Sequence, residues 1–175
     1  VILNADGGLL SPEINAVEKI AQQLIQVSGR AGRNNNLAKV VIQTRYPYDE
    51  NLKQIKTGNY QLVADQCLKT NKAKGMPPYS TITILRATSP NPLSCIKFLE
   101  KVSSLLYNKK NISIIGPLPS IPLKIKGNLR NHLIIKSDTK SYLNRVLKFL
   151  TNEIETWPET KKVKWTYDID PHDMS

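Results

Sequence analysis

Two arginines, Arg30 and Arg33, each follow a glycine in the stretch Q-V-S-G-R-A-G-R at residues 26–33. A guanidinium is always charged and presents a planar fork of N–H donors, so two arginines three residues apart can reach one anion. A transferring phosphoryl group is such an anion. We therefore predict that these arginines contact a phosphate, while Gly29 and Gly32 keep side-chain bulk away from them. The alternative is a pair of arginines that forms salt bridges within a loop.

The residues before the arginines predict a long helix that positions them. Ser11 is a suitable N-cap, Pro12 suits the first helical position and Glu13 follows in the first turn. The apolar residues that recur on one face of this helix are Ile14, Val17, Ala21, Leu24 and Ile25. We also predict a short buried strand at residues 1–4 and a second strand at 39–44. The order strand, helix, arginine loop and strand is typical of the end of a parallel α/β lobe.

Asp6, Gly7 and Gly8 follow the first predicted strand and are expected to form a turn at its carboxyl end. Ligands bind at this edge of an α/β sheet, so Asp6 is placed for chemistry. The alternative is that Asp6 and the glycines only build the turn.

The second half of the chain predicts a different architecture. Helices are expected at residues 49–57 and 60–71, and Gly75-Met76-Pro77-Pro78 breaks the pattern. Strands at 79–88, 112–115, 132–136 and 163–169 then alternate with helices at 92–107 and 138–155, and Gly116-Pro117 is expected to close the second strand. The order β-α-β-β-α-β predicts a ferredoxin-like α+β domain with both helices on one face of the sheet. We expect Val163, Trp165, Tyr167 and Ile169 to alternate on one face of the last strand.

The charge of the chain favours a polyanionic partner. The sequence has 25 Lys and Arg against 14 Asp and Glu, a net charge of +11. No acidic residue occurs between Glu100 and Asp138, and prolines rigidify the predicted loop at 118–131. This basic loop can follow a phosphate backbone, or it can be a solvated loop whose lysines only aid solubility. The candidate DNA-binding residues are Lys124, Lys126, Arg130 and Lys136.

The remaining reactive side chains predict no site of their own. Cys67 and Cys95 are expected to be buried thiols on helices, and no metal-binding set is predicted. His132 and His172 lack a spaced Ser or Cys partner and are expected on the surface or in loops. The sequence shows no signal peptide and no apolar run that could span a membrane, so a cytoplasmic protein is expected.

The sequence holds an arginine motif without the rest of an ATPase. It contains neither G-x-x-x-x-G-K-[ST] nor an acidic D-E-x-H-type motif, so it supplies no phosphate cradle and no magnesium ligand. It also opens at Val1, without methionine. We therefore expect the C-terminal portion of a larger enzyme, which by itself does not turn over ATP.

Several motifs together carry a family resemblance. Q-x-x-G-R-x-G-R at 26–33 resembles the last motif of superfamily-2 helicases. The wider pattern resembles the bacterial replication-restart helicases of the primosomal protein N-prime (PriA) family, nearly end to end and in the same order. It consists of L-N-A-D-G-G-L-L-S-P at 3–12 with Glu18, Gln22 and Gln26, M-P-P-Y at 76–79, G-P-L-P at 116–119, K-V-K-W at 162–165 and D-I-D-P at 168–171.

The resemblance implies part of an ATP-dependent 3′→5′ DNA helicase that restarts stalled replication forks through primosome assembly. It implies that Arg30 and Arg33 are catalytic, on the second RecA-like lobe. It further implies ATP and Mg²⁺ held mostly by an N-terminal part, and Zn²⁺ held by upstream cysteines. The nucleotide-binding residues that it implies are Gln26, Gly29, Gly32, Asp6 and Gly7. The implied partners are forked and single-stranded DNA, single-stranded-DNA-binding protein and other primosome proteins, in the bacterial cytoplasm.

The same resemblance divides the chain and shows where it departs from the family. It implies the end of helicase lobe 2 at 1–48, a helical connector at 49–74 and a fork- and partner-binding domain at 75–175, similar to a small-ribosomal-subunit protein. Lys140 and Asn144 match residues that bind the acidic tail of single-stranded-DNA-binding protein, with lysine in place of arginine. Ile14-Asn15 replaces the usual Phe-Arg, and Leu129 and Asn131 stand where tryptophans are common. The alternative function is a non-enzymatic nucleic-acid-binding module or a non-functional remnant of the helicase.

Overall fold

The computed structural model describes residues 5–11, 13–31, 40–125 and 127–174. The chain divides into two compact units, Val1–Lys74 and Gly75–Ser175, which we call the first and the second unit. The strand predicted at 1–4 lies outside the described residues, as do Gly32, Arg33 and Lys126.

The first unit is helical in its described part. It contains α1 (Asp6–Leu9), α2 (Ala16–Ala31), α3 (Glu50–Lys56) and α4 (Tyr60–Ala73). The two helices predicted at 49–57 and 60–71 are confirmed as α3 and α4. Asp49 caps α3 by accepting the N–H groups of Asn51 and Leu52, and Asn59 caps α4 in the same way. The core cluster of the described part of this unit consists of the buried residues Ala5, Ile20, Ala21, Leu24, Leu52, Ile55 and Val63.

Three local predictions for the first unit are wrong. Helix α2 begins at Ala16, four residues after Pro12, because the Ser11 hydroxyl accepts the Glu13 N–H (3.2 Å) in a separate turn. Residues 6–8 form a helical turn instead of a plain turn. Of the strand predicted at 39–44, the described residues retain one bridge at Ile42. A strand needs hydrogen-bonded neighbours, and the described part of this unit does not show a parallel ladder.

The second unit has the element order that the sequence predicts. It contains β1 (Thr81–Ser89), α5 (Pro92–Leu106), β2 (Ile112–Ile125), β3 (Asn128–Ser137), α6 (Lys140–Glu155) and β4 (Lys164–Ile169). The four strands form one antiparallel sheet in the order β2-β3-β1-β4. This confirms an α+β fold with the β-α-β-β-α-β order of a ferredoxin-like domain.

Both faces of the central strands are covered. On one face, α5 and α6 pack against Leu85, Leu133 and Ile135, and the rings of Phe98 and Trp157 meet edge to face at 5.7 Å. On the other face, Met76 and Met174 pack against Ile82, Ile84 and Ile134. The alternation predicted for the last strand is confirmed, because Trp165, Tyr167 and Ile169 pair in register with Ala87, Leu85 and Thr83 on the helical face. Ile169 nevertheless remains 51% exposed, because the core cluster ends before it.

Strand β2 is longer than the sequence predicts. It continues through Gly116-Pro117 to Ile125, so the loop predicted at 118–131 is a paired β2–β3 hairpin. The register shifts between Ile115 and Leu118, and again between Pro119 and Lys124. Because β2 is an edge strand, a proline can lie in it with its missing N–H directed away from the ladder. The predicted break is therefore wrong.

Candidate nucleotide and nucleic-acid sites

The C-terminal end of α2 presents the predicted nucleotide residues. Gln26, Gly29 and Arg30 lie on this helix and are exposed, so the predicted arginine loop is helical as far as Ala31. A Cβ added to Gly29 would meet nothing within 4 Å, so no described neighbour requires glycine there. Among the described carboxylates, none forms a salt bridge with Arg30. The guanidinium is therefore free of described acids, as an anion contact requires.

Polar contacts fix α2 against α4. The Tyr60 hydroxyl donates to the Glu18 carboxylate, and the Gln22 amide donates to the Tyr60 oxygen (3.2 Å). The hydrogen bond to Glu18 raises the pKa of Tyr60, because it stabilises the protonated phenol. Glu18 and Gln22 thus orient the helix that carries Arg30.

Asp6 is engaged within its own unit. Its carboxylate accepts a hydrogen bond from the Thr44 hydroxyl and another from the Arg45 N–H (3.0 Å). These two bonds, in that order, lower the pKa of Asp6. The contacts are those expected if Asp6 builds the local structure, the alternative we left open. Asp6 also borders a cleft of about 630 Å³ formed with residues 43–46.

A second cleft brings two predicted nucleotide residues together. Gly7 and Gln26 line a volume of about 520 Å³, with Lys19 and Gln23 on the same helix as Gln26. Arg30 is not among its described lining residues. The structure thus places Gly7 and Gln26 on the same cleft, although they are distant in sequence.

The β2–β3 hairpin presents the predicted DNA-binding residues of the second unit. Lys124 is exposed next to the turn and pairs in register with Leu129. Arg130 is half-buried on β3, opposite Thr88 of β1. Strands β1, β2 and β3 contain no Asp or Glu. This hairpin therefore holds its cations on a paired backbone instead of a loop.

Lys136 belongs to another part of the sheet. It is a half-buried residue of β3, and its Nζ lies 3.3 Å from the position that a Cβ on Gly75 would take. The sheet register places Lys136 and Arg130 on the same face, which also carries Arg86. Arg86 donates to the Asp168 carboxylate at 3.1 Å. Sequence analysis missed Arg86, although its alternation with Ile82 and Ile84 places it on that face.

His132 is buried, so the prediction of a surface or loop position is wrong. Its Nδ1 lies 3.0 Å from the Ser120 hydroxyl, and both residues are almost fully buried. Burial lowers the pKa of His132, and the nearby charges of Arg86 and Arg130 lower it further. Its Nε2 has no hydrogen-bond partner among the described residues. Period-2 alternation gave no signal for this burial, because the same face of β3 also carries Arg130 and Lys136.

The start of α6 presents the predicted tail-binding residues. Lys140 and Asn144 are exposed and lie one helical turn apart. The Lys140 ammonium is paired with the Asp170 carboxylate at 2.6 Å. An incoming carboxylate would therefore have to compete with Asp170 for Lys140.

The described residues also bear on metals and membranes. No group of three or more His, Cys, Asp or Glu side chains in the described ranges is arranged to hold a metal ion. Cys95 is buried, as expected, and Cys67 is half-buried. Within the same ranges, no helix combines the length and the apolar character needed to cross a bilayer.

Known proteins resemble this chain along almost its whole length. The family described as "Primosomal protein N C-terminal domain" matches residues 72–172. "Replication restart protein PriA" of Haemophilus influenzae is 28% identical over 177 residues, covering 99% of this chain and 24% of the relative. The proteins of the same name from Rickettsia prowazekii and Bacillus subtilis are 31% and 28% identical, covering 97% and 99% of this chain and 26% and 22% of the relatives. The chain spans about a quarter of the length of these curated relatives.

Proposed function

This chain belongs to the primosomal protein N C-terminal domain family, and from that premise we propose that it acts in the restart of DNA replication, with its second unit binding forked and single-stranded DNA. The β2–β3 hairpin is the observation that carries the proposal. Its exposed Lys124 and half-buried Arg130 lie on strands without a single carboxylate. Phosphate contacts from such cations fix a protein on DNA without reading sequence.

For the first unit we propose the arginine side of an ATP site in a full-length 3′→5′ helicase. Arg30 is exposed and unpaired with any described carboxylate, which suits a guanidinium that meets a γ-phosphate. Arg33 follows three residues later in the sequence. Bound ATP with Mg²⁺ would supply the phosphoryl group and neutralise its charge, while this chain would supply Arg30, Arg33 and Gln26.

The family also suggests a cellular location and protein partners. We propose a bacterial cytoplasmic protein that works with single-stranded-DNA-binding protein and other primosome proteins. Lys140 and Asn144 are the proposed contacts for an acidic tail, since both are exposed on one turn of α6. The proposed Zn²⁺ of the full-length protein would be held by upstream cysteines.

The hairpin proposal is tested by the salt dependence of DNA binding. We expect Lys124→Ala with Arg130→Ala to weaken binding of forked DNA by the 175-residue chain. The slope of log K against log salt should flatten by about two, because each lost phosphate contact removes about 0.9. Fluorescence anisotropy at several salt concentrations measures both quantities.

The matched control removes the same charge from the helical side of the sheet. Lys97 and Lys148 are exposed on α5 and α6, and Lys97→Ala with Lys148→Ala should leave the slope close to that of the parent chain. An unchanged slope in the hairpin variant, or an equal change in both variants, would place the DNA surface elsewhere.

The arginine proposal is tested in the full-length protein. We expect Arg33→Ala, and separately Arg30→Ala, to abolish DNA-stimulated ATP hydrolysis with nucleotide binding largely kept, because the arginines act on charge that develops during transfer. Wild-type turnover in both variants would refute the assignment. If the genomic frame before Val1 holds no G-x-x-x-x-G-K-[ST] motif, the non-enzymatic binding module is favoured instead.

A further inference from the structure

The second register shift of β2 creates an outward bulge. Pro119 pairs with Asn131 and Lys124 pairs with Leu129, so residues 120–123 of β2 face the single residue Arg130 of β3. We call residues 120–123 the β2 bulge. Bulges of this kind recur at sheet edges and re-aim side chains.

The β2 bulge is anchored on one side and apolar on the other. Ser120 is buried and its hydroxyl contacts His132 Nδ1 at 3.0 Å. The next residues project outward: Ile121 is 72% exposed and Leu123 is 50% exposed, with exposed Pro122 between them. Two aliphatic side chains that stay exposed gain little burial free energy on folding, so the apolar side of the β2 bulge indicates a binding surface.

The edge of β2 is poorly suited to bind another β-strand. Pro117, Pro119 and Pro122 each lack an N–H, so the strand offers an interrupted row of donors. A partner of this edge must therefore contact its side chains and not extend its hydrogen-bond ladder.

The charge around the β2 bulge indicates which kind of partner it binds. Lys124 directly follows the β2 bulge and Arg130 lies opposite it, while β1, β2 and β3 carry no carboxylate. Aliphatic and proline side chains flanked by cations are what proteins insert between base steps, with the cations on adjacent phosphates. A branch point in DNA exposes a base pair that has lost stacking on one side, so insertion costs least there.

We propose that Ile121 and Leu123 form an apolar wedge that inserts next to the terminal base pair at a DNA branch point and unstacks it. This inference rests on the proposed function, because it assigns a distinct role to the hairpin that holds the phosphates. Lys124 and Arg130 supply affinity for any DNA, and the β2 bulge distinguishes a branched substrate from a linear one. The buried contact between Ser120 and His132 holds the β2 bulge in place on the sheet.

The test uses the 175-residue chain and a DNA fork with 2-aminopurine at the branch point. In the parent chain we expect binding to raise 2-aminopurine fluorescence, since the base loses its stacking. In Ile121→Ser with Leu123→Ser, most of this rise should be lost, while affinity for linear duplex changes less than about threefold because phosphate contacts remain. Ile121→Leu with Leu123→Met should restore the rise. Leu93→Ser, at a 61% exposed leucine of α5, is the matched control for lost surface apolarity.

The outcomes separate the two proposals. If the parent chain binds forked DNA and the serine variant gives an undiminished fluorescence rise, the wedge proposal is refuted. The apolar side of the β2 bulge then binds a protein instead. The same holds if Leu93→Ser removes the rise equally. If the parent chain does not bind forked DNA, the proposed function and the wedge fall together. Since Ile121 and Leu123 are exposed, the serine variant should keep the parent melting temperature, which circular dichroism checks.

Discussion

Arg30 in the first unit and Arg130 in the second are both predicted to meet phosphate, but the fold holds them differently. Arg30 lies in the last turn of α2, exposed, with no described carboxylate beside it. Arg130 lies on a strand paired on both sides, where its backbone position is set by Thr88 and by the β2 bulge. The position of Arg30 is therefore fixed only by the helix that carries it. The position of Arg130 is fixed by hydrogen-bonded strands on both sides within its own unit.

The apolar cores of the two units differ in size. In the described residues, the second unit buries a large apolar cluster between one sheet and two helices. The first unit buries a smaller cluster, formed by α2, α3 and α4 together with Ala5 at the start of α1. Both tryptophans, Trp157 and Trp165, belong to the second unit. Tryptophan fluorescence therefore reports on that unit alone.

The largest expected effect is in the core of the second unit. Phe98→Ala should lower the free energy of unfolding by about 3–5 kcal/mol, because it leaves a cavity at a fully buried ring. Urea unfolding followed by tryptophan fluorescence measures it. A loss below about 1 kcal/mol would mean that this core is loosely packed, contrary to its burial.

The corresponding change in the first unit should be smaller. Leu52→Ala removes a fully buried side chain, and we expect a loss of about 2–3 kcal/mol because a small core relaxes more easily. Circular dichroism at 222 nm should show the change while the tryptophan transition stays in place. If both signals shift together, the units unfold as one and the contrast between them fails.

The buried histidine makes the stability of the second unit pH-dependent. The pKa of His132 is lowered below 6.5 in the folded state, chiefly by burial, so the unfolded chain binds a proton first as the pH falls. His132 thus contributes stability that is present above pH 6.5 and is lost as the pH falls through its folded pKa. In His132→Gln, stability should decline less between pH 6.5 and pH 5, measured by urea unfolding. Equal declines in the parent and the variant would assign the pH dependence to other groups.

The smallest expected effect is at the start of α6. The Lys140–Asp170 pair joins two side chains that are both more than half exposed, so Lys140→Ala should cost about 0.5 kcal/mol or less. The same variant should weaken binding of an acidic peptide if Lys140 is a tail contact. Asp170→Asn is the informative companion, since it frees Lys140 and should strengthen that binding.

Much of the second unit could be predicted because its signals are local. Period-2 and period-3.6 patterns placed β1, α5, α6 and β4 within two residues of their observed bounds, whereas β3 begins at Asn128, four residues before the predicted start. Strand β2 could not be placed in this way, because Gly116-Pro117 is a turn signal in most contexts and is tolerated here by an edge position. His132 was misplaced because its burial depends on Ser120, which a bulge brings beneath it.

The site in the first unit was less predictable from sequence. Glycine-arginine steps suggested a loop, but one glycine costs a helix only about 1 kcal/mol, and the surrounding residues keep α2 helical through Arg30. The role of Asp6 depends on Thr44 and Arg45, which lie almost forty residues away. Such long-range hydrogen bonds leave no periodic trace in a sequence.

The two cysteines, one in each unit, differ in how accessible their thiols are. Cys67 packs against the helices of the first unit and Cys95 is sealed in the second, where its sulfur lies 3.7 Å from the Leu129 carbonyl oxygen. Burial raises the pKa of both thiols, so neither is readily converted to the reactive thiolate. Because Cys95 is buried, an alkylating reagent can label it only when the second unit opens, whereas half-buried Cys67 is partly accessible in the folded chain. The rate of Cys95 labelling will therefore reveal how often the second unit opens.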